Sequence, residues 1–136
     1  MTSTSAEPKP ADAPGSTDDA LFAALETAHG DRLRETLCRF VAACDGACDT
    51  LQVAAACAHW QEAARLTHQI GDAANELGLE PIVAAARAFA DAAYQQTTPH
   101  RLRNSAQMVV FEYERLRLAL MARYPEFVAP GAYSIA

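Results

Sequence analysis

The stretch Arg65 to Gly78, RLTHQIGDAANELG, holds a single histidine, His68, near its centre. On a helix turning roughly 100° per residue, Leu66, Ile70, Ala73, Ala74 and Leu77 fall on one side, with Ala63 just upstream. His68 then lies nearly opposite the centre of that apolar face, among Gln61, Ala64, Arg65, Gly71, Asp72 and Asn75. The pattern predicts an imidazole held in water on a rigid helix, flanked by small and polar side chains. A neutral imidazole can act as a nucleophile, and small neighbours allow a second protein to approach it. A lone surface histidine is ordinarily only solvated, so the surroundings of His68 must decide.

The four cysteines suggest a second chemistry. Cys44 and Cys48 are one helical turn apart and share a face with Leu37, Val41 and Leu51. Buried cysteine behaves as a small apolar residue, so core packing is the simpler reading. A metal site drawn from Cys44, Cys48, Cys57 and His59 would lack the Cys-x-x-Cys pair usual in structural zinc sites. No metal is expected. The opening MTSTSAEPKPADAPGST has no apolar core to serve as a secretion signal. A cytoplasmic chain with reduced, structural cysteines is therefore expected, since disulfide frameworks belong to exported proteins. His29, His59 and His100 carry no motif, and Trp60 reads as a packing anchor. Neither a phosphate-cradling glycine loop nor a serine–histidine–acid set is recognisable.

The elements that must position His68 read as helices throughout. The chain has 136 residues, of which 51% are hydrophobic, enough for one small core. Its formal charge of −6 argues against a nucleic-acid face, and no apolar run approaches the roughly 18 residues of a membrane span. Residues 1–16 read as a disordered leader. Thr17 reads as the cap of a short first helix bearing Leu21, Phe22 and Leu25, which Gly30 ends. Asp31 then caps a long second helix with Leu33, Leu37, Phe40, Val41, Cys44, Cys48, Leu51 and Ala55 inward, and Gly46 as a possible bend. A turn is placed near Cys57–His59, and the third helix runs from about His59 to Leu77, with Gly78 as its left-handed stop. Pro81 opens a fourth helix to Tyr94, with Ile82, Ala85, Phe89 and Ala93 inward. Thr97 or Thr98 announces a fifth, to about Arg123, on Leu102, Ala106, Val109, Tyr113, Leu116 and Leu120. Arg101, Arg103, Arg115 and Arg117 form a basic surface on it, either merely solvated or steering a partner. The expected fold is all-α: an antiparallel four-helix bundle spanning residues 17–124, with a short extra N-terminal helix as a lid and a tail from residue 125.

From Leu33 to Tyr124 the order of elements and the residues around His68 resemble a histidine-containing phosphotransfer domain of bacterial two-component phosphorelays. In that family a phosphorylatable histidine opens a motif reading His, any residue, Leu, Lys, Gly, then small residues, with Leu or Ile and Gly nine and ten positions on. Here Ile70, Ala73, Ala74, Leu77 and Gly78 take the matching positions, and Trp60 lies eight residues before the histidine. Two positions depart. Gly71 stands where the family has lysine, and Asp72 where it has glycine. The lysine offsets the charge of the phosphoryl group, and the glycine leaves room for a receiver domain. Asp72 instead brings a carboxylate to the same face, where like charges a few ångströms apart oppose each other by roughly 1 kcal/mol in water. Arg65, one turn before His68, could offset part of that.

The resemblance implies a phosphocarrier, not a complete enzyme. His68 would exchange a phosphoryl group with receiver-domain aspartates of response regulators or hybrid kinases. Gln61, Ala64, Arg65, Gln69, Gly71, Asp72 and Asn75 would form the docking face, with Gln69 or Asn75 supplying a hydrogen bond. The chain would need no cofactor of its own, and Mg2+ would sit on the receiver. The departures at Gly71 and Asp72 motivate an alternative, an interaction module that binds a receiver or kinase without accepting phosphate.

Overall fold

The computed structural model describes residues 14–125, and every regular element among them is helical. In chain order these are α1 (Pro14–His29), α2 (Leu33–Ala56), α3 (Trp60–Glu76), α4 (Glu80–Tyr94) and α5 (Pro99–Arg123), with a 3-10 turn at Gly30–Arg32. They fall into two compact units, one ending at Thr36 and the other beginning at Leu37, so the division lies inside α2. Residues 1–13 of the expected leader, and the tail from residue 126, lie outside the described residues.

In the N-terminal unit, α1 starts before the expected Thr17 cap. Pro14 takes the first position, where a missing N–H costs nothing and the fixed φ suits a helix. Residues 14–16 therefore belong to α1, a helix of 16 residues and not a short one. Gly30 ends it as expected, with φ of +56°. Asp31 does not cap α2. It lies in the 3-10 turn, where the Leu33 N–H already bonds the Gly30 carbonyl, so the backbone itself satisfies the first donor of α2.

In the C-terminal unit, α2 runs unbroken through Gly46 and buries Leu37, Phe40, Cys44, Cys48, Leu51 and Ala55 at the expected spacing, with Val41 only half-buried. It ends at Ala56, and the turn over 57–59 uses Ala58 in the left-handed region, φ +59°. For a residue with a Cβ that costs about 1–2 kcal/mol, offset locally by backbone bonding of His59 N–H to the Ala54 carbonyl at 2.8 Å. Gly78, φ +69°, stops α3, and the Leu79 N–H bonds back to the Ala74 carbonyl at 3.0 Å. Thr98 is the cap of α5, its hydroxyl accepting from the Arg101 N–H at 3.2 Å.

Helix α4 packs against both α3 and α5, whereas α3 and α5 touch only lightly. Its inward residues are Ile82, Val83, Ala86 and Phe89; Ala85 and Ala93, expected inside, are half-buried. Helix α5 buries all six of the expected residues and Val110 besides. It meets α2 through polar as well as apolar contacts. The Phe40 and Tyr113 rings pack edge to face at 5.9 Å. The Tyr113 hydroxyl donates to Asp45, whose carboxylate lies 3.2 Å from Arg117 Nε. Arg103 Nε donates to the Ala55 carbonyl at 3.3 Å, and its guanidinium lies over the Trp60 ring at 5.8 Å. With Arg115 paired to Glu112 at 3.4 Å, three of the four arginines of the expected basic surface are tied down by other parts of this unit. That surface is mostly structural.

The cysteines divide into two classes. Cys44 and Cys48 are buried, and desolvation first, with nearby negative charge second, pushes both thiols up to about 12. Cys38 and Cys57 are exposed, which corrects the expectation that all four are structural. At pH 8 a thiol titrating near 12 is only about one part in ten thousand thiolate, the reactive form. Iodoacetamide under native conditions is therefore expected to modify Cys38 and Cys57 and spare Cys44 and Cys48, read by peptide mass spectrometry. No helix among the described residues is long and apolar enough to cross a membrane. Nor do three His, Cys, Asp or Glu side chains gather among them as a metal site.

Candidate functional site

Helix α3 buries Ala63, Leu66, Thr67, Ile70 and Ala74, a face at three- and four-residue spacing. Ala73, expected with them, is half-buried. Burying that face turns His68 outward with its side chain 80% exposed. Its Nε2 lies 3.2 Å from Oδ2 of Asp72, one turn along and similarly exposed. Solvent screens a pair of this kind, so the contact orients the ring while leaving it free to swing away.

His68 stands at the rim of a groove of about 330 Å3 between α3 and α4. Ala64, Gly71, Asp72 and Asn75 line it from α3 with His68, and Val83, Ala86 and Phe89 form much of the α4 side. The other members of the expected docking face do not line this groove. Gln61 and Arg65 border a shallow hollow beside His59 and Trp60, and Gln69 is exposed and lines neither.

Arg65 is already engaged. Its guanidinium grips Glu62 one turn back, with Nε at 3.1 Å from Oε1 and Nη2 on Oε2. That hydrogen bond holds the Glu62 carboxyl below its usual range. Arg65 thus pairs with Glu62 as an exposed ion pair that solvent screens.

Gly71 also has a use that the helical wheel does not show. A Cβ built there would lie 2.9 Å from the Cβ of Ala86. The absence of a side chain lets α3 and α4 approach at this point, so the glycine sets the width of the groove. Gly71→Ala is expected to destabilise the protein by about 1 kcal/mol. Overpacking against a Cβ that moves only with its backbone costs roughly 1–3 kcal/mol, against a helix-propensity gain of about 1 kcal/mol. Gly71→Lys, which would restore the family's residue, brings the same collision. Urea unfolding of the two variants would measure this, and midpoints equal to or above that of the parent would show that the helices give way freely.

No family model, curated protein or solved structure matches this chain. The site must be read from its own geometry. Of the lining residues that escaped the sequence reading, two are polar. Thr67, only 2% exposed, donates its hydroxyl to the Ala63 carbonyl at 2.7 Å and lines the groove. A polar residue is buried there because it satisfies itself within the helix. Arg87 reaches the groove from α4. No signal in the stretch around His68 could have found it, because it arrives from a different helix.

What the arrangement offers is an exposed imidazole on a helix, a carboxylate beside it, apolar residues lining the groove and a narrow spacing between two helices.

Proposed function

We propose that this chain is a histidine phosphotransfer protein, relaying a phosphoryl group between His68 and receiver-domain aspartates of a two-component phosphorelay. The observation that carries this reading is the 80% exposed His68 on the rim of the α3–α4 groove, at the position where the sequence resembles the phosphotransfer motif. The helix order agrees with it. Tyr113 meets Asp45 while Arg103 reaches Ala55, the pairing expected if α5 runs back along α2 as in such a bundle.

In the transfer, the lone pair of a neutral imidazole nitrogen of His68 attacks the phosphorus of an aspartyl phosphate on the partner. The N–P bond forms, the P–O bond to the aspartate breaks, and the carboxylate leaves with the electron pair. Onward transfer is the reverse, with a second receiver's carboxylate as nucleophile. Such chemistry depends on in-line positioning and on charge neutralisation, and the receiver supplies its own Mg2+. The chain contributes the acceptor and the docking surface, so it acts as a carrier.

One observation favours a second reading. Asp72 faces His68 Nε2 at 3.2 Å, and its negative charge opposes an incoming phosphoryl group. A module that docks receivers without accepting phosphate would keep such a pair. The two readings separate when the purified chain is incubated with a panel of receiver domains carrying labelled phosphate. Acid-labile, base-stable label on this chain supports the carrier. Receiver binding without label supports the docking module, and neither binding nor label overturns both.

A further inference from the structure

Beyond the acceptor itself, the groove carries an unassigned cation, and we infer that Arg87 is the phosphoryl-binding residue of this site, reaching across from α4 to the group on His68. This rests on the phosphotransfer reading. A phosphoryl group on His68 would be a dianion set beside the Asp72 carboxylate, and the position that carries lysine in the family is here Gly71. Something must offset that charge. Arg65 is held by Glu62, Arg103 by Ala55 and Trp60, and Arg117 by Asp45. Arg87 is exposed, lines the same groove as His68 and Asp72, and makes no ion pair or hydrogen bond among the described residues. It is an uncommitted guanidinium at the place where a dianion would appear.

Its position follows from the packing. Arg87 directly succeeds Ala86, whose Cβ occupies the space that a side chain at Gly71 would need. The glycine that removes the lysine is thus the same one that lets α4 close up on α3 and carries Arg87 to the groove. A guanidinium presents a planar fork of donors matched to two phosphoryl oxygens, so Arg87 can grip the group from the α4 side while His68 holds it from α3. Loss and replacement are coupled through one close contact.

The test uses potassium phosphoramidate as a phosphoryl donor that needs no partner protein. A His68 ring nitrogen forms the N–P bond, the donor's own P–N bond breaks, and the amine leaves as ammonia with a proton. Wild type, Arg87→Ala, Arg87→Lys, His68→Gln and the exposed control Arg101→Ala are compared by the rate of acid-labile labelling, the lifetime of the label and the 31P titration of the phosphoryl group. Arg87→Ala is expected to slow labelling roughly tenfold, the scale of one charge-assisted hydrogen bond, and to raise the pH at which the phosphoryl group takes up its proton. Arg87→Lys should recover part of both effects, and Arg101→Ala should match the wild type. A wild type that labels while Arg87→Ala labels, decays and titrates identically removes the role of Arg87 and leaves the carrier intact. A folded wild type that takes no label from phosphoramidate or from any receiver removes the carrier, and the role of Arg87 with it.

Discussion

Replacing His68 with glutamine is expected to remove all acid-labile phosphate from the protein while leaving its helix content and unfolding midpoint within error of the parent. The side chain is 80% exposed, and it pairs with Asp72 on its own helix. Nothing in the core depends on it. Glutamine is at least as good a helix former as histidine, and surface substitutions away from caps and cores typically change stability by no more than about 0.5 kcal/mol. The amide nitrogen of glutamine has its lone pair delocalised into the carbonyl and cannot take the phosphoryl group. A loss of label with an unchanged urea midpoint would therefore report chemistry alone. Label persisting on the variant would place the acceptor elsewhere.

Phe89→Ala is expected to produce the largest loss of stability of the variants considered, about 3–5 kcal/mol by the usual cost of emptying a buried aromatic site. Phe89 is fully buried, belongs to the inward face of α4 and also lines the groove beside His68. Its ring lies under the site and supports the two helices that carry His68 and Arg87. A domain of this size is stable by only about 5–15 kcal/mol in total, so the variant sits close to its unfolding threshold at 37 °C. Urea unfolding followed by helical circular dichroism would measure the loss. A drop below about 1 kcal/mol would mean that the groove can collapse into the vacated space, and the floor of the site would then not be rigid.

The contrast between these two residues reflects how the information is distributed. His68 could be placed from its own helix, because a face of Leu66, Ile70, Ala74 and Leu77 defines the opposite side once the period is known. Gly78 and Thr98 could be placed for the same reason. A left-handed stop and a hydroxyl cap are decided within a few residues: the stop stands at Gly78, and of the two threonines the sequence offers for the cap, Thr98 takes it. The caps that failed, at Thr17 and Asp31, were pre-empted by equally local rivals, Pro14 and a 3-10 turn. The inward face of α4 was harder to phase. Where alanine fills about half of the positions the apolar face has little contrast, and burying Ala86 in place of Ala85 changes the transfer free energy by very little. The neighbouring helices make that choice.

Helical periodicity, turn chemistry and the outward face of α3 are short-range properties, set by rotation per residue and by hydrogen bonds within a turn, and the amino-acid order alone determined them here. It also placed His68 as a solvated imidazole among small and polar residues. What Gly71 is for, that Arg87 lines the groove, and that Phe89 lines it too were decided only when α4 came to rest on α3. Those properties are distances between side chains on different helices. A helical wheel knows the direction in which each residue points, and has no knowledge of what it meets there.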